Sequence, residues 1–187
     1  FVDWEPIDTY IVRAADVRKV RPASSKDSLE QKDKMLAGEA VQFLTQQNPH
    51  AVFVYFGQVD EVGHRDGFHP SVPSYLQALH TVDAHVASLV KAIQSRPEYL
   101  AENWLVVIST DHGGRGRKHR GGHDVPEIVT TFLVVSGKDS MRGEIEEPSY
   151  IVDVPVIALT HLGIPIESAW QLDGKAVGIR QEFRNDQ

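Results

Sequence analysis

Cysteine is absent from this chain of 187 residues, so no disulfide and no thiolate metal site can form. Any metal must be held by His, Asp or Glu, and the redox compartment cannot be read in either direction. Long apolar runs are missing too: none approaches the roughly 20 residues that a membrane span requires. Positive charge is in deficit, with 19 Lys and Arg against 26 Asp and Glu, a formal net charge of −7. That balance argues against a protein built mainly to hold nucleic-acid backbone. Repeats and low-complexity stretches are also lacking. The opening Phe1-Val2-Asp3-Trp4 has neither the basic nor the apolar region of a secretory signal and reads as folded sequence, so the natural polypeptide is expected to extend further toward the amino terminus. Arg184-Asn185-Asp186-Gln187 reads as a polar, fraying tail.

What remains is an ordinary soluble composition, 41% hydrophobic and 24% charged, enough for one good-sized core. Apolar runs suited to buried strands alternate with helical patterns. Leu36, Ala40, Phe43 and Leu44 recur at helical spacing inside Asp27–Gln47, with Asp27 and Glu30 as a capping box and Asn48-Pro49 as the stop. Ala51–Phe56 (AVFVYF) predicts a strand buried on both faces. Gly57–Val72 is expected as a turn-rich loop carrying Gly57, Gly63 and Gly67. A second helix is predicted from Pro73 to Ser95, with Leu76, Leu79, Val82, Val86, Leu89, Val90 and Ile93 as its apolar stripe. Asn103–Thr110 (NWLVVIST) and Thr130–Ser136 (TTFLVVS) predict two further strands, Asp153–Leu162 a short helix ending at Gly163, and Ala176–Ile179 an edge strand. The order strand–helix–strand implies a mostly parallel sheet with helices on its faces, an α/β fold. In such sheets ligands collect at the carboxyl ends of the strands.

The loops richest in ligand atoms follow the first two of these strands. Asp60-Glu61-Val62-Gly63-His64 places a carboxylate and an imidazole four residues apart, able to meet one cation if the chain coils there. Asp111-His112-Gly113-Gly114 follows NWLVVIST, where two glycines let the chain turn so that adjacent residues share a site. Gly121-Gly122-His123-Asp124 adds a third imidazole, and His119 nearby competes for its role. Each motif alone reads equally as a solvated loop. Together Asp60, His64, Asp111, His112 and His123 make two carboxylates and three imidazoles without sulfur, a set that suits zinc before manganese or iron and matches calcium poorly. Five ligands exceed what one catalytic zinc takes, so a two-metal site is inferred, and paired metals suit displacement at phosphorus. Arg115, Arg117, Lys118 and Arg120 form a basic cluster in the same loop, either a draw for a phosphate-bearing substrate or a solvated charge run. Asp83 is expected as a buried structural partner within its helix.

VYFGQVDEVGH, the Tyr75-containing helix, NWLVVISTDHGG, GGHD and TTFLVVSG, in this order, resemble the carboxyl-terminal half of the alkaline phosphatase superfamily, in its type I phosphodiesterase and nucleotide pyrophosphatase branch. The resemblance spans Ala51–Gly137. It implies a three-layer sandwich around a mostly parallel sheet, with residues 1–187 as a single domain forming the carboxyl-terminal part of a catalytic domain. It implies that Asp60, His64 and His123 hold one zinc, and that Asp111 and His112 are half of a second site, with Mn2+ as an alternative metal. In the family the second site also takes an Asp, and the nucleophilic Thr or Ser, from an amino-terminal segment. Nothing upstream of Asp60 has an apolar strand ending in Asp followed by such a residue, and Thr9 and Ser24-Ser25 are poorly placed. The chain is therefore expected to be a fragment lacking its nucleophile. Its missing strand would leave an exposed sheet edge through which an oligomer could form. The function implied is metal-dependent hydrolysis of a small phosphate ester or nucleotide-type substrate, with a sulfatase, a phosphomutase or a non-catalytic metal-binding relative as alternatives. The residues leave location open, and the resemblance favours a periplasmic or secreted one.

Overall fold

In the computed structural model residues 1–21, 24–121 and 123–180 are described. They form two compact units, the first comprising Phe1–Pro97 with Gly114–His119 and the second Glu98–Gly113 with Arg120–Gln187. The tail at Arg184–Gln187 lies outside the described residues.

The first unit contains a short π-helix at Ile7–Ile11 and three α-helices, α1 (Leu29–Gln46), α2 (Gln58–Asp66) and α3 (Pro73–Gln94), with α3 packed on both of the other two. The capping box of α1 is one residue later than expected. Ser28 Oγ accepts from Gln31 N at 3.2 Å and Gln31 Oε1 accepts from Ser28 N at 2.9 Å. At the other end of α1, Arg96 donates to the carbonyls of Leu44 and Gln47, satisfying groups the helix leaves open. Phe1, Leu36 and Ala40 form the buried core, with Phe43, Val52, Val54 and Leu89 packed against it. α3 runs as the spacing predicts, with Pro73 in its first turn. Its buried residues are Ala78, Ala92 and Ile93, whereas Leu76 and Leu79 stay exposed and so does Asp83, which corrects the reading of Asp83 as a buried partner.

Two further expectations fail in this unit. Gly57–Val72 is not all loop, because α2 occupies most of it. Ala51–Phe56 is extended but builds no ladder. Its main chain meets Phe1, with Phe1 N donating to Phe53 O and Tyr55 N to Phe1 O, both at 2.9 Å. Val2 makes a parallel bridge with Val20 on the other side. Parallel contacts therefore exist, but a strand assignment needs successive partners and here each partner contributes one.

The second unit holds β1 (Leu105–Ser109), α4 (Pro126–Val129), β2 (Leu133–Gly137) and α5 (Asp153–Leu162). β1 and β2 pair antiparallel, from Leu105 opposite Gly137 to Ser109 opposite Leu133. The chain is mixed α/β as expected. The mostly parallel three-layer sandwich is not what the described residues form, since their sheet has two antiparallel strands. A parallel return needs a crossover, usually a full helix, and between these strands only four-residue α4 is helical. β2 is also less buried than a core strand: Leu133 and Val135 are half-buried while Val134 is exposed. α5 packs on β1 and ends at Gly163 as predicted. The expected edge strand at Ala176–Ile179 is reduced to a single bridge between Ser140 and Ile179.

Candidate metal centre

In the first unit, helix geometry puts Asp60 and His64 on one face of α2, one turn apart. His64 Nε2 lies 3.5 Å from Asp60 Oδ1, and His119 Nε2 lies 3.9 Å from the same oxygen. The two imidazole rings meet edge-on with centroids 4.8 Å apart. His64 Nδ1 is 3.0 Å from the carbonyl oxygen of Arg117. A carbonyl only accepts, so Nδ1 carries a hydrogen, and in the neutral ring Nε2 turns its lone pair toward Asp60. This is the arrangement of a metal-binding histidine, whose second nitrogen is fixed by a main-chain acceptor. Facing each other at this distance, the Asp60 oxygen and His64 Nε2 can share a cation, either a proton or a metal ion.

The loop carrying His119 is held by a tight turn, Arg115 N to Lys118 O at 2.8 Å, and by Phe68 N donating to Gly116 O at 2.7 Å. Phe68 is the floor of this group. Its ring lies edge-on to His64, to Tyr75 and to His119, with centroid distances of 5.3, 5.8 and 6.5 Å. Gly63 and Gly114 make room for it: a Cβ on Gly63 would stand 2.3 Å from the ring, and one on Gly114 2.2 Å. α2 ends at Gly67, whose φ of 127° is open to glycine and costly for any side chain. The Tyr75 hydroxyl is pushed above its ordinary pKa by burial and by the negative charge of Asp60, so it stays a hydrogen-bond donor at neutral pH.

In the second unit His112 repeats the tautomer argument. Its Nδ1 lies 2.8 Å from Gly113 O, which leaves Nε2 as the ligand atom, 3.8 Å from Asp111 Oδ1. Gly113 donates to Ile128 O at 2.7 Å, and a Cβ there would stand 2.3 Å from Glu127 O, so α4 backs this loop directly. His123 sits in an exposed turn just before α4.

The geometry thus sets Asp60 beside both His64 and His119 within the first unit, and Asp111 beside His112 within the second. His123 belongs to the second unit. The donors are nitrogen and oxygen throughout, with main-chain carbonyls beside Nδ1 of His64 and His112, a chemistry that fits a divalent metal. The family model for type I phosphodiesterase / nucleotide pyrophosphatase matches residues 4–141. The chain belongs to this family. No curated protein and no solved structure matches it. The type I phosphodiesterase/nucleotide pyrophosphatase family is one of hydrolases, consistent with the alkaline phosphatase superfamily. Both candidate motifs, at Asp60–His64 and at Asp111–His112, fall inside the match. No helix among the described residues is long and apolar enough to cross a membrane.

Sequence reasoning missed Phe68 and gave Tyr75 no role. Glycines at Gly63 and Gly114 were the available signal, since close-packed glycines flanking ligand residues announce a neighbour that fills the missing Cβ space.

Proposed function

We propose that this chain supplies metal-binding residues of a hydrolase acting on phosphoric esters of phosphodiester or nucleotide type. One metal is held by Asp60, His64 and a third histidine. His119 takes that place in this reading, ahead of His123, the candidate read from the motif alone. Asp111 and His112 contribute to a second metal. The observation that carries the proposal is the pairing of His64 Nε2 with Asp60, with Nδ1 tied to a main-chain carbonyl. Two zinc ions, with manganese as the alternative, would offset charge on the phosphoryl oxygens and lower the pKa of an attacking hydroxyl or water.

The chain's own residues do the rest. Arg117 O keeps the His64 proton on Nδ1. Phe68 packs edge-on against both rings of the first group and supports them. Tyr75 offers a hydroxyl hydrogen near Asp60. Arg115, Arg117 and Lys118, exposed on the neighbouring turn, draw an anionic ester toward the site. The nucleophilic Thr or Ser of the family is supplied from outside these residues. A periplasmic or secreted location belongs to the same proposal and is supported by the family.

Metal analysis after dialysis, paired with an aryl-phosphate assay, tests this. At least one zinc per chain with little or no hydrolysis is expected. Robust turnover would place a nucleophile within these residues, and a chain that retains no metal would overturn the proposal.

A further inference from the structure

Helix α2 carries Asp60 and His64, and its amino terminus has an unusual support. No side chain of the helix caps it. Two buried carboxyls from elsewhere converge on its first amides instead. Asp3 Oδ2 accepts from Gly57 N at 3.1 Å, Asp33 Oδ1 accepts from the same N–H at 3.2 Å, and Asp33 Oδ2 accepts from Gln58 N at 3.0 Å. Asp3 is 5% exposed and Asp33 fully buried. A Cβ on Gly57 would stand 2.5 Å from Asp3 Oδ2, so the main chain seals the pair in.

Two carboxylates sharing one amide cannot both be ionised cheaply in a dry site. Both side chains reach the same Gly57 N–H, so the charge of Asp3 acts directly on Asp33. Asp3 Oδ1 is buried, and among the described residues no donor reaches it. Lys32, itself buried, is the cation acting on Asp3. From α3 the titratable group facing α1 is His85, which acts with Lys34 and Glu30 rather than with the pair. The first turn of α2 adds only Asp60 and Glu61, both acidic. Burial first, and then the charge of Asp3, push the Asp33 carboxyl up to about 8, and burial raises Asp3 as well.

We propose that Asp3 and Asp33 hold one proton between them and together clamp the first turn of α2, making Asp33 a positioning residue for the Asp60–His64 face and tying that face to pH. The metal half of this inference rests on the proposed function; the clamp does not. With the proton present, one carboxyl is neutral and the pair fits around Gly57. Once it leaves, two anions repel across a single amide, and the start of α2 must shift or admit water. The proton simply passes to solvent, so no other reactant is needed.

The test is an amide titration by NMR on the full chain, following Gly57 and Gln58 from pH 5 to 9 in the wild type, Asp3→Asn and Asp33→Asn. Both amides are expected to shift in the wild type with one midpoint well above the usual carboxylate range. Asp3→Asn removes the like charge and should move that midpoint down, and Asp33→Asn should abolish the transition. Should Asp33→Asn not fold, Asp3→Asn still decides. Flat amide shifts in the wild type, or a midpoint unmoved by Asp3→Asn, would overturn the proposal. Co2+ binding measured over the same range gives the second readout: its pH profile should move in Asp3→Asn by the same interval as the amides. A profile that stays put while the amides move would remove Asp33's positioning role and leave only the shared proton. If the wild type binds no Co2+ but its amides titrate as expected, the metal reading fails and the clamp stands.

Discussion

Adding one methyl group at Gly114 should disable the proposed metal group without touching a proposed ligand. The Cβ of Gly114→Ala would stand 2.2 Å from Cγ of Phe68, whereas nonbonded carbons settle at about 3.5–4.0 Å. The ring must therefore retreat by more than 1 Å or so. Its freedom is small because the Cβ position of Gly63 points at the same ring from 2.3 Å. Overpacking of this kind costs roughly 1–3 kcal/mol. Gly63→Ala should cost less, because alanine recovers about 1 kcal/mol of helix propensity within α2. The ring cannot move without disturbing His64 and His119, whose edges it supports. Loss of such support typically lowers metal affinity by about 10–100-fold. Urea unfolding gives the stability and Co2+ titration the affinity. Phe68→Leu in the Gly114→Ala background supplies the control: removing the ring should relieve the clash, so the double variant should be less destabilised than the sum of the singles. A Gly114→Ala chain with wild-type stability and wild-type Co2+ affinity would refute the account of Phe68 as the floor of the group.

Other expected outcomes follow from local structure. Ser28→Ala removes half of the capping box of α1 and should lower stability by about 1 kcal/mol in urea unfolding, with Gln31→Ala giving a similar loss. Asp33 has a folded pKa raised to about 8 against an unfolded value near 3.9, so the folded chain binds more protons between those limits. Its contribution to stability is whole below about pH 4 and is lost as pH rises toward about 8, at up to about 1.4 kcal/mol per unit. The difference in urea midpoint between pH 5 and pH 8 should therefore shrink in Asp33→Asn. His85 is shifted the opposite way, lowered by burial and then by Lys34, so stability linked to it is gained as pH rises through its ordinary range, and His85→Gln should remove that rise.

The helices with complete punctuation were legible. Pro73 opens α3, Pro97 follows its end, and an apolar stripe runs between them. β1, β2 and α5 were equally plain from continuous apolar runs and Gly163. α2 was hidden because its three glycines resembled loop chemistry. Each has a separate cause: Gly57 packs against Asp3, Gly63 against Phe68, and Gly67 ends the helix. The four-residue interval from Asp60 to His64 was itself a helical spacing and pointed the right way. The pairing direction of β1 and β2 could not be read, because strand order does not reveal whether a connection crosses over. Asp3 and Asp33 escaped notice because their meaning arises only when distant segments meet at Gly57. The proposed preference for His119 over His123 rests on loop geometry, which the Arg115–Lys118 turn and the Gly116 carbonyl set and no motif spelled out.

Co2+ titration followed by visible absorption, in the wild type, Asp60→Asn, His119→Ala and His123→Ala, tests the central claim most directly. The wild type should bind with the absorption of a nitrogen- and oxygen-ligated ion. Asp60→Asn and His119→Ala should weaken binding by about tenfold or more, and His123→Ala should weaken it less. A wild-type chain that binds no Co2+, or one whose binding survives both Asp60→Asn and His119→Ala, would contradict the claim that these residues form a metal centre.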